Sequence, residues 1–204
     1  MSEVNAALVR ELRDKTGAGM MDCKKALADT GADLEKAVVF LREKGLAAAQ
    51  KKSARTASQG TVGSYIHAGG KIGVLIEINC ETDFVARTPE FQDLVKDLAM
   101  QVAAASPRFV RREEVSAATI EAERAIYQAQ ASSSGKPANV IEKIVDGKVE
   151  KFYADVCLLE QPFIKEPQRT VGQLVTDAIS RIGENVVVRR FARFQLGDAS
   201  EPAA

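Results

Sequence analysis

The sequence predicts an α+β chain, with a three-helix module at the N-terminus and then a core in which a small antiparallel sheet packs on helices. Three observations carry this. Apolar residues recur at helical spacing through roughly the first fifty positions. Alternation of period two replaces that spacing from Thr61 to Ile78 and returns between Val186 and Leu196, and helical spacing fills most of the interval between.

In the first segment Val4, Leu8 and Leu12 step by four, and Gly17 and Gly19 close the helix. Met20, Cys23 and Leu27 mark a second helix that ends at Gly31, and Leu34, Ala37, Val38 and Leu41 a third, opened by Asp33 and closed by Gly45. Helices this short are marginal alone in water, so they must pack together, which predicts a module over 1–46. Residues 47–60 are rich in Ala, Lys and Ser and suit a helical or flexible linker. Lys51, Lys52 and Arg55 on it fit a solvated face, an RNA contact or an acidic groove, and spacing assigns them no specific contact.

A hairpin follows, with Val62, Ser64 and Ile66 before the turn Ala68-Gly69-Gly70-Lys71 and Ile72, Val74, Ile76 and Ile78 after it. The second strand runs into Glu81-Thr82-Asp83-Phe84-Val85, where alternation stops. Thr88-Pro89-Glu90 then opens a helix, with a hydroxyl at the N-cap, Pro at the first position and an acid in the first turn. Asp83-Phe84 is therefore expected on a short strand-to-helix connection. Two readings fit it: an acid that satisfies local backbone donors beside a Phe tucked into the core, or a pair that enters a partner.

Phe91, Leu94, Val95, Leu98 and Val102 form one face of a helix that stops before Pro107. Ser116 caps a helix around Ile120 to Ala131, and Ser132-Ser133-Ser134-Gly135 breaks it. Two helical segments are expected to flank Asp146-Gly147 as a helical hairpin. Pro162 and Pro167 bracket an extended piece, and Thr170-Val171-Gly172-Gln173 has capping-box spacing for a final helix to Gly183. The strand Val186 to Leu196 has no wholly polar face and is expected to need a partner on both sides. The core thus spans 61–196, and the tail 197–204 is expected to be disordered.

Composition narrows the function. Lys plus Arg and Asp plus Glu each total 28, so no global field attracts phosphate backbone or an anionic membrane, and no direct nucleic-acid partner is expected. With no secretory pattern and no spanning run, a cytoplasmic protein is expected. Cys23, Cys80 and Cys157 are an odd, scattered set with a single His, which predicts buried free thiols and neither a disulfide framework nor a metal site. Gly17-Ala18-Gly19 lacks the strand and third glycine of a dinucleotide fingerprint, and there is no phosphate-loop motif, so no cofactor is expected. No catalytic constellation stands out. His67 opposite Ile72 places Cys80 roughly 26 Å away at strand rise, which excludes a Cys-His pair within the hairpin. Met20-Met21 fits either an adaptable contact surface or the lining of a small core.

Leu12-Arg13, the run Thr16-Gly17-Ala18-Gly19-Met20-Met21-Asp22-Cys23-Lys24-Lys25-Ala26-Leu27 and the run from Glu77 to Arg87 resemble the two signature stretches of the bacterial elongation factor Ts family. Gly135-Lys136-Pro137, Gln161-Pro162-Phe163 and Arg193-Phe194 match as well, so the resemblance covers nearly the whole chain except the tail. It implies a guanine-nucleotide exchange factor, not an enzyme, that releases GDP from elongation factor Tu in translation elongation and binds that GTPase in GDP-bound and nucleotide-free forms. It implies that Thr82, Asp83, Phe84 and Val85 enter the GTPase domain near its magnesium ion. Leu12, Met20 and Met21 would present an N-terminal module similar to a ubiquitin-associated fold. The chain has room for one copy of the core unit and resembles the short members that work as homodimers. Some of those carry Cys where this chain has Ala192, so a dimer here would be non-covalent.

Overall fold

A computed structural model describes residues 4–133 and 137–198. It is α+β, with a small antiparallel sheet packed on helices. The chain divides into two compact units, each assembled from separate stretches of sequence.

The first unit holds 4–61, 78–95 and 174–187. Its helices α1 (Ala6–Thr16), α2 (Met20–Asp29) and α3 (Leu34–Lys52) enclose Val9, Leu12, Cys23, Ala26, Leu27 and Ala37, with Val4, Leu8, Leu34, Val38 and Leu41 packed around them. The Asn5 carboxamide oxygen accepts Leu8 N–H at 2.8 Å to start α1, and Gly17 ends it at φ +67°. Asp33 starts α3 by accepting Lys36 N–H at 3.0 Å, and that bond holds its carboxyl below the usual range.

Gly45 does not close the third helix, which runs on to Lys52. Its missing Cβ serves close approach instead, because a Cβ there would meet Ser180 Oγ at 3.3 Å. The expected linker is also tied down. Lys52 Nζ donates to the Ile179 carbonyl at 3.3 Å, and the Asn185 side-chain amide donates to the Arg55 carbonyl at 2.8 Å.

The second unit holds 62–77, 96–173 and 188–198. Strands β1 (Gln59–Ile66) and β2 (Ile72–Cys80) make the expected hairpin, with His67 N–H on the Ile72 carbonyl at 2.9 Å and Gly69 and Gly70 at positive φ in the turn. Helix α4 (Asp83–Ala86) and the start of α5 (Pro89–Ala105), whose first turn is capped by the Thr88 hydroxyl, come next in the chain and belong to the first unit, and α5 enters the second unit at residue 96. Within this unit Val74 and Ile76 of the sheet and Leu98, Ala99 and Val102 of α5 are buried.

Helix α6 (Ala117–Ser132) takes in Ser132, which was expected to break it, whereas Ser134 and Gly135 lie outside the described residues. Helix α7 (Ala138–Val156) runs unbroken through Asp146-Gly147, where two segments were expected. Ile141, Val145, Val149 and Phe152 keep helical spacing across the glycine, and their burial outweighs the roughly 1 kcal/mol that a mid-helix glycine costs. The helical hairpin is instead α6 against α7, with Ala131 packed with Ile141 and Val145 at one end and Ile120 with Phe152 at the other. Arg112 ties its base, pairing with Glu150 at 2.7 Å and with Glu160 while lying over the Tyr153 ring.

Strands β3 (Pro162–Phe163) and β4 (Glu166–Thr170) pair antiparallel, and α8 (Val171–Ile182) opens with the expected capping box, Gln173 N–H on Thr170 Oγ1 at 3.2 Å and Thr170 N–H on Gln173 Oε1 at 3.1 Å. Strand β5 (Val187–Gln195) lies beside β2 in the order β1-β2-β5. Among the described residues it is an edge strand with one neighbour, not two, and the tail beyond residue 198 is outside the described residues. Cys23, Cys80 and Cys157 are buried free thiols, and burial pushes Cys157 up to about 11. Among the described residues no helix is long and apolar enough to cross a membrane.

Candidate functional site

Strand β2 delivers the chain to Glu81-Thr82 on a backbone that admits no side chain opposite it. A Cβ on Gly60, at φ +143°, would stand 2.1 Å from the Ile78 carbonyl oxygen, and the Asn79 side-chain amide donates to the Gln59 carbonyl at 3.2 Å. The strand end is therefore closely held where it turns into α4.

Asp83 and Phe84 lie in a one-turn helix within the short connection from β2 to α5. Thr82 is its N-cap: the Thr82 hydroxyl accepts Val85 N–H at 3.3 Å, and the Thr82 carbonyl accepts Ala86 N–H at 3.3 Å. Val85 and Ala86 point inward and are buried. The Val85 carbonyl accepts the Thr88 hydroxyl at 2.8 Å, and the Ala86 carbonyl accepts the Gln92 amide at 2.6 Å, so α5 holds the far side of the turn.

Phe84, between these fastened neighbours, is 78% exposed. A free-standing aromatic on a rigid turn excludes the reading in which Phe84 tucks into this chain's core. Its ring stands clear of this chain's own core. Asp83 stands beside it, its carboxylate accepting from Arg87 at 2.8 Å on the surface.

Glu184 and Asn185, in the connection from α8 to β5, grip the near side of the turn. Glu184 Oε2 accepts the N–H groups of Glu81 at 3.1 Å and Thr82 at 3.0 Å, while its Oε1 accepts the Thr82 hydroxyl at 2.7 Å. In return, Glu81 Oε1 accepts Asn185 N–H at 2.6 Å and faces Arg55 Nη1 at 3.5 Å. Sequence reasoning passed over Glu184 and Asn185, because they follow the helix stop at Gly183 and no local spacing couples them to a turn a hundred residues earlier.

Cys80, just before the turn, is fully buried, and its thiol meets the Thr82 carbonyl at 3.1 Å. Burial, and then the charge of Glu184, push this thiol up, which disfavours the nucleophilic thiolate. Cys80 packs the site and is not poised to attack. Among the described residues no cluster of His, Cys, Asp or Glu has the make-up to hold a metal ion.

The N-terminal module offers a second surface. Met20 and Met21 open α2, Met21 is 75% exposed, and both line a groove of about 980 Å³ with Val4, Val9, Arg10 and Lys24. Leu12 is corrected from a presenting residue to a supporting one: at 0% exposure it lies in the bundle core and cannot touch a partner. Its four-residue step from Leu8 already belonged to the buried stripe, so periodicity pointed inward.

The sequence profile of the Elongation factor TS family matches residues 21–198. Elongation factor Ts of Desulforamulus reducens is 62% identical over 201 residues, which covers 98% of this chain and 93% of the relative. Elongation factor Ts of Geobacter sulfurreducens is 63% identical over 198 residues, 97% of this chain and 92% of its own. The Heliobacterium modesticaldum protein of the same name is 60% identical over 195 residues, covering 96% and 91%. With a family match over most of its length and relatives this similar from end to end, the chain belongs to the elongation factor Ts family.

Proposed function

We propose that this chain releases GDP from elongation factor Tu by pressing the Asp83-Phe84 tip between helices of the GTPase domain beside the magnesium site, so that the ion leaves and GTP can rebind. As a family member it is a translation elongation factor that exchanges guanine nucleotide on elongation factor Tu. The observation that carries the mechanism is a 78% exposed Phe84 on a turn fastened at both ends.

Magnesium keeps near-octahedral coordination and bridges nucleotide phosphates to the GTPase, so a small displacement of its supports weakens both. Burying one Phe contributes about 2–3 kcal/mol, whereas each tenfold loss of nucleotide affinity needs about 1.4 kcal/mol. One wedge is insufficient for several powers of ten. The Met20-Met21 surface therefore supplies docking energy away from the nucleotide, with 1–46 as the docking module. Linkage then makes GDP weaken the factor's hold on the GTPase as much as the factor weakens GDP's.

The reaction uses no bond-breaking side chain of this chain, and the protein works in the cytoplasm without touching nucleic acid directly. Its core, 61–196, forms a non-covalent homodimer. Support for the dimer comes from the second unit, where Val62, Ile66, Leu75, Phe194 and Leu196 are exposed apolar residues of the sheet region and β5 is an open edge.

Phe84→Ala tests the mechanism. The variant is expected to bind elongation factor Tu while losing most of the acceleration of GDP release in stopped flow. Wild-type release by that variant would refute the wedge.

A further inference from the structure

The structure assigns to Glu184 the role of positioning residue for the Asp83-Phe84 tip, acting on exchange through the backbone and hydroxyl of residues 81–82. The inference rests on the reading that Phe84 is the wedge. Three donors converge on one carboxylate: two consecutive backbone N–H groups on Oε2, at 3.1 and 3.0 Å, and the Thr82 hydroxyl on Oε1, at 2.7 Å. Two adjacent peptides bound to one oxygen fix the direction in which the chain leaves β2. The hydroxyl proton, committed to Glu184, leaves a Thr82 oxygen lone pair for Val85 N–H at 3.3 Å. Glu184 thereby orders the cap that closes the turn around Phe84.

Charge makes the same point. The turn already carries the acids Glu81 and Asp83, and a third carboxylate beside them is disfavoured by like-charge repulsion unless its own hydrogen bonds compensate. Here they do, and Arg55 and Arg87 face Glu81 and Asp83 respectively. The clasp is reciprocal, since Glu81 accepts Asn185 N–H at 2.6 Å, so the α8–β5 connection and the tip hold one another.

The test measures release of a fluorescent GDP from elongation factor Tu across a range of factor concentrations, for wild type, Glu184→Ala, Glu184→Gln, Thr82→Val and the double variant Thr82→Val/Glu184→Ala. Glu184→Ala is expected to lower the maximum release rate about tenfold and to leave the half-saturating concentration within about twofold, because docking elsewhere is intact. Glu184→Gln should recover most of the rate, as its amide oxygen can still accept the backbone N–H groups. The double variant should be no slower than Glu184→Ala alone, since both changes cut one network.

An unchanged maximum rate in Glu184→Ala overturns the inference, as does a loss confined to half-saturation or full additivity of the two changes. If Glu184→Ala does not fold, Thr82→Val decides alone, and an unchanged maximum rate there overturns the inference too. Phe84→Ala separates the two layers of argument. A defective Phe84→Ala beside an intact Glu184→Ala removes only the role of Glu184, whereas an intact Phe84→Ala removes the wedge itself.

Discussion

Leu12 and Met21 sit in one small bundle, the first enclosed in its core and the second on its surface. Leu12 is fully enclosed, so Leu12→Ala should lower unfolding free energy by about 2–5 kcal/mol, as deletion of a buried leucine side chain does. Met21 is mostly exposed, so Met21→Ala should change stability by no more than about 0.5 kcal/mol. It should instead raise the factor concentration needed for half-maximal GDP release. Denaturant titration and release kinetics on the two variants check this, and a stable Leu12→Ala would contradict the burial. The same contrast shows what a linear pattern can reveal. The Met20-Met21 pair stood out because a buried stripe needs only one of two neighbours, whereas Leu12 entered the candidate surface through family resemblance, against its own periodicity. Glu184 carried no local signal, because the contact that matters joins positions 102 apart in the chain.

At the scale of elements, caps and turns were legible wherever the physics is local. The Thr88 and Thr170 caps and the Gly69-Gly70 turn each depend on residues within four positions of one another. Breakers were misread where tertiary packing overrides propensity. Gly45 continues α3 because Ser180 lies against it, and Gly147 continues α7 because the apolar face on both sides is buried against α6. A Cβ at Gly147 would meet nothing within 4 Å. Gly147→Ala should therefore raise stability by about 0.5–1 kcal/mol through helix propensity. Chemical denaturation checks this, and destabilisation would mean that the helix is interrupted there.

For the whole molecule, the sequence divides the chain at residues 46 and 60, whereas the compact units are drawn from distant stretches, the first joining the buried cluster of α1–α3 to residues 78–95 and 174–187. Units assembled from three segments each depend on long-range contacts that periodicity does not encode. The α+β class survived because it needs only the order of periods along the chain. The proposed dimer belongs to this scale as well. Phe194→Glu, placed on an exposed apolar position of β5, should shift the protein from dimer to monomer in light scattering while the far-ultraviolet circular dichroism spectrum stays unchanged. A wild-type protein that is monomeric at high micromolar concentration would contradict the dimer.

In the proposed exchange mechanism, Phe84 and the magnesium ion of the GTPase are two ends of one lever. The most direct test is stopped-flow GDP release from elongation factor Tu by wild type and Phe84→Ala, in magnesium buffer and again after chelation. If the tip works by dislodging the ion, removing the ion beforehand should bring the two factors' release rates together. A gap between them that persists undiminished in chelator would contradict the account.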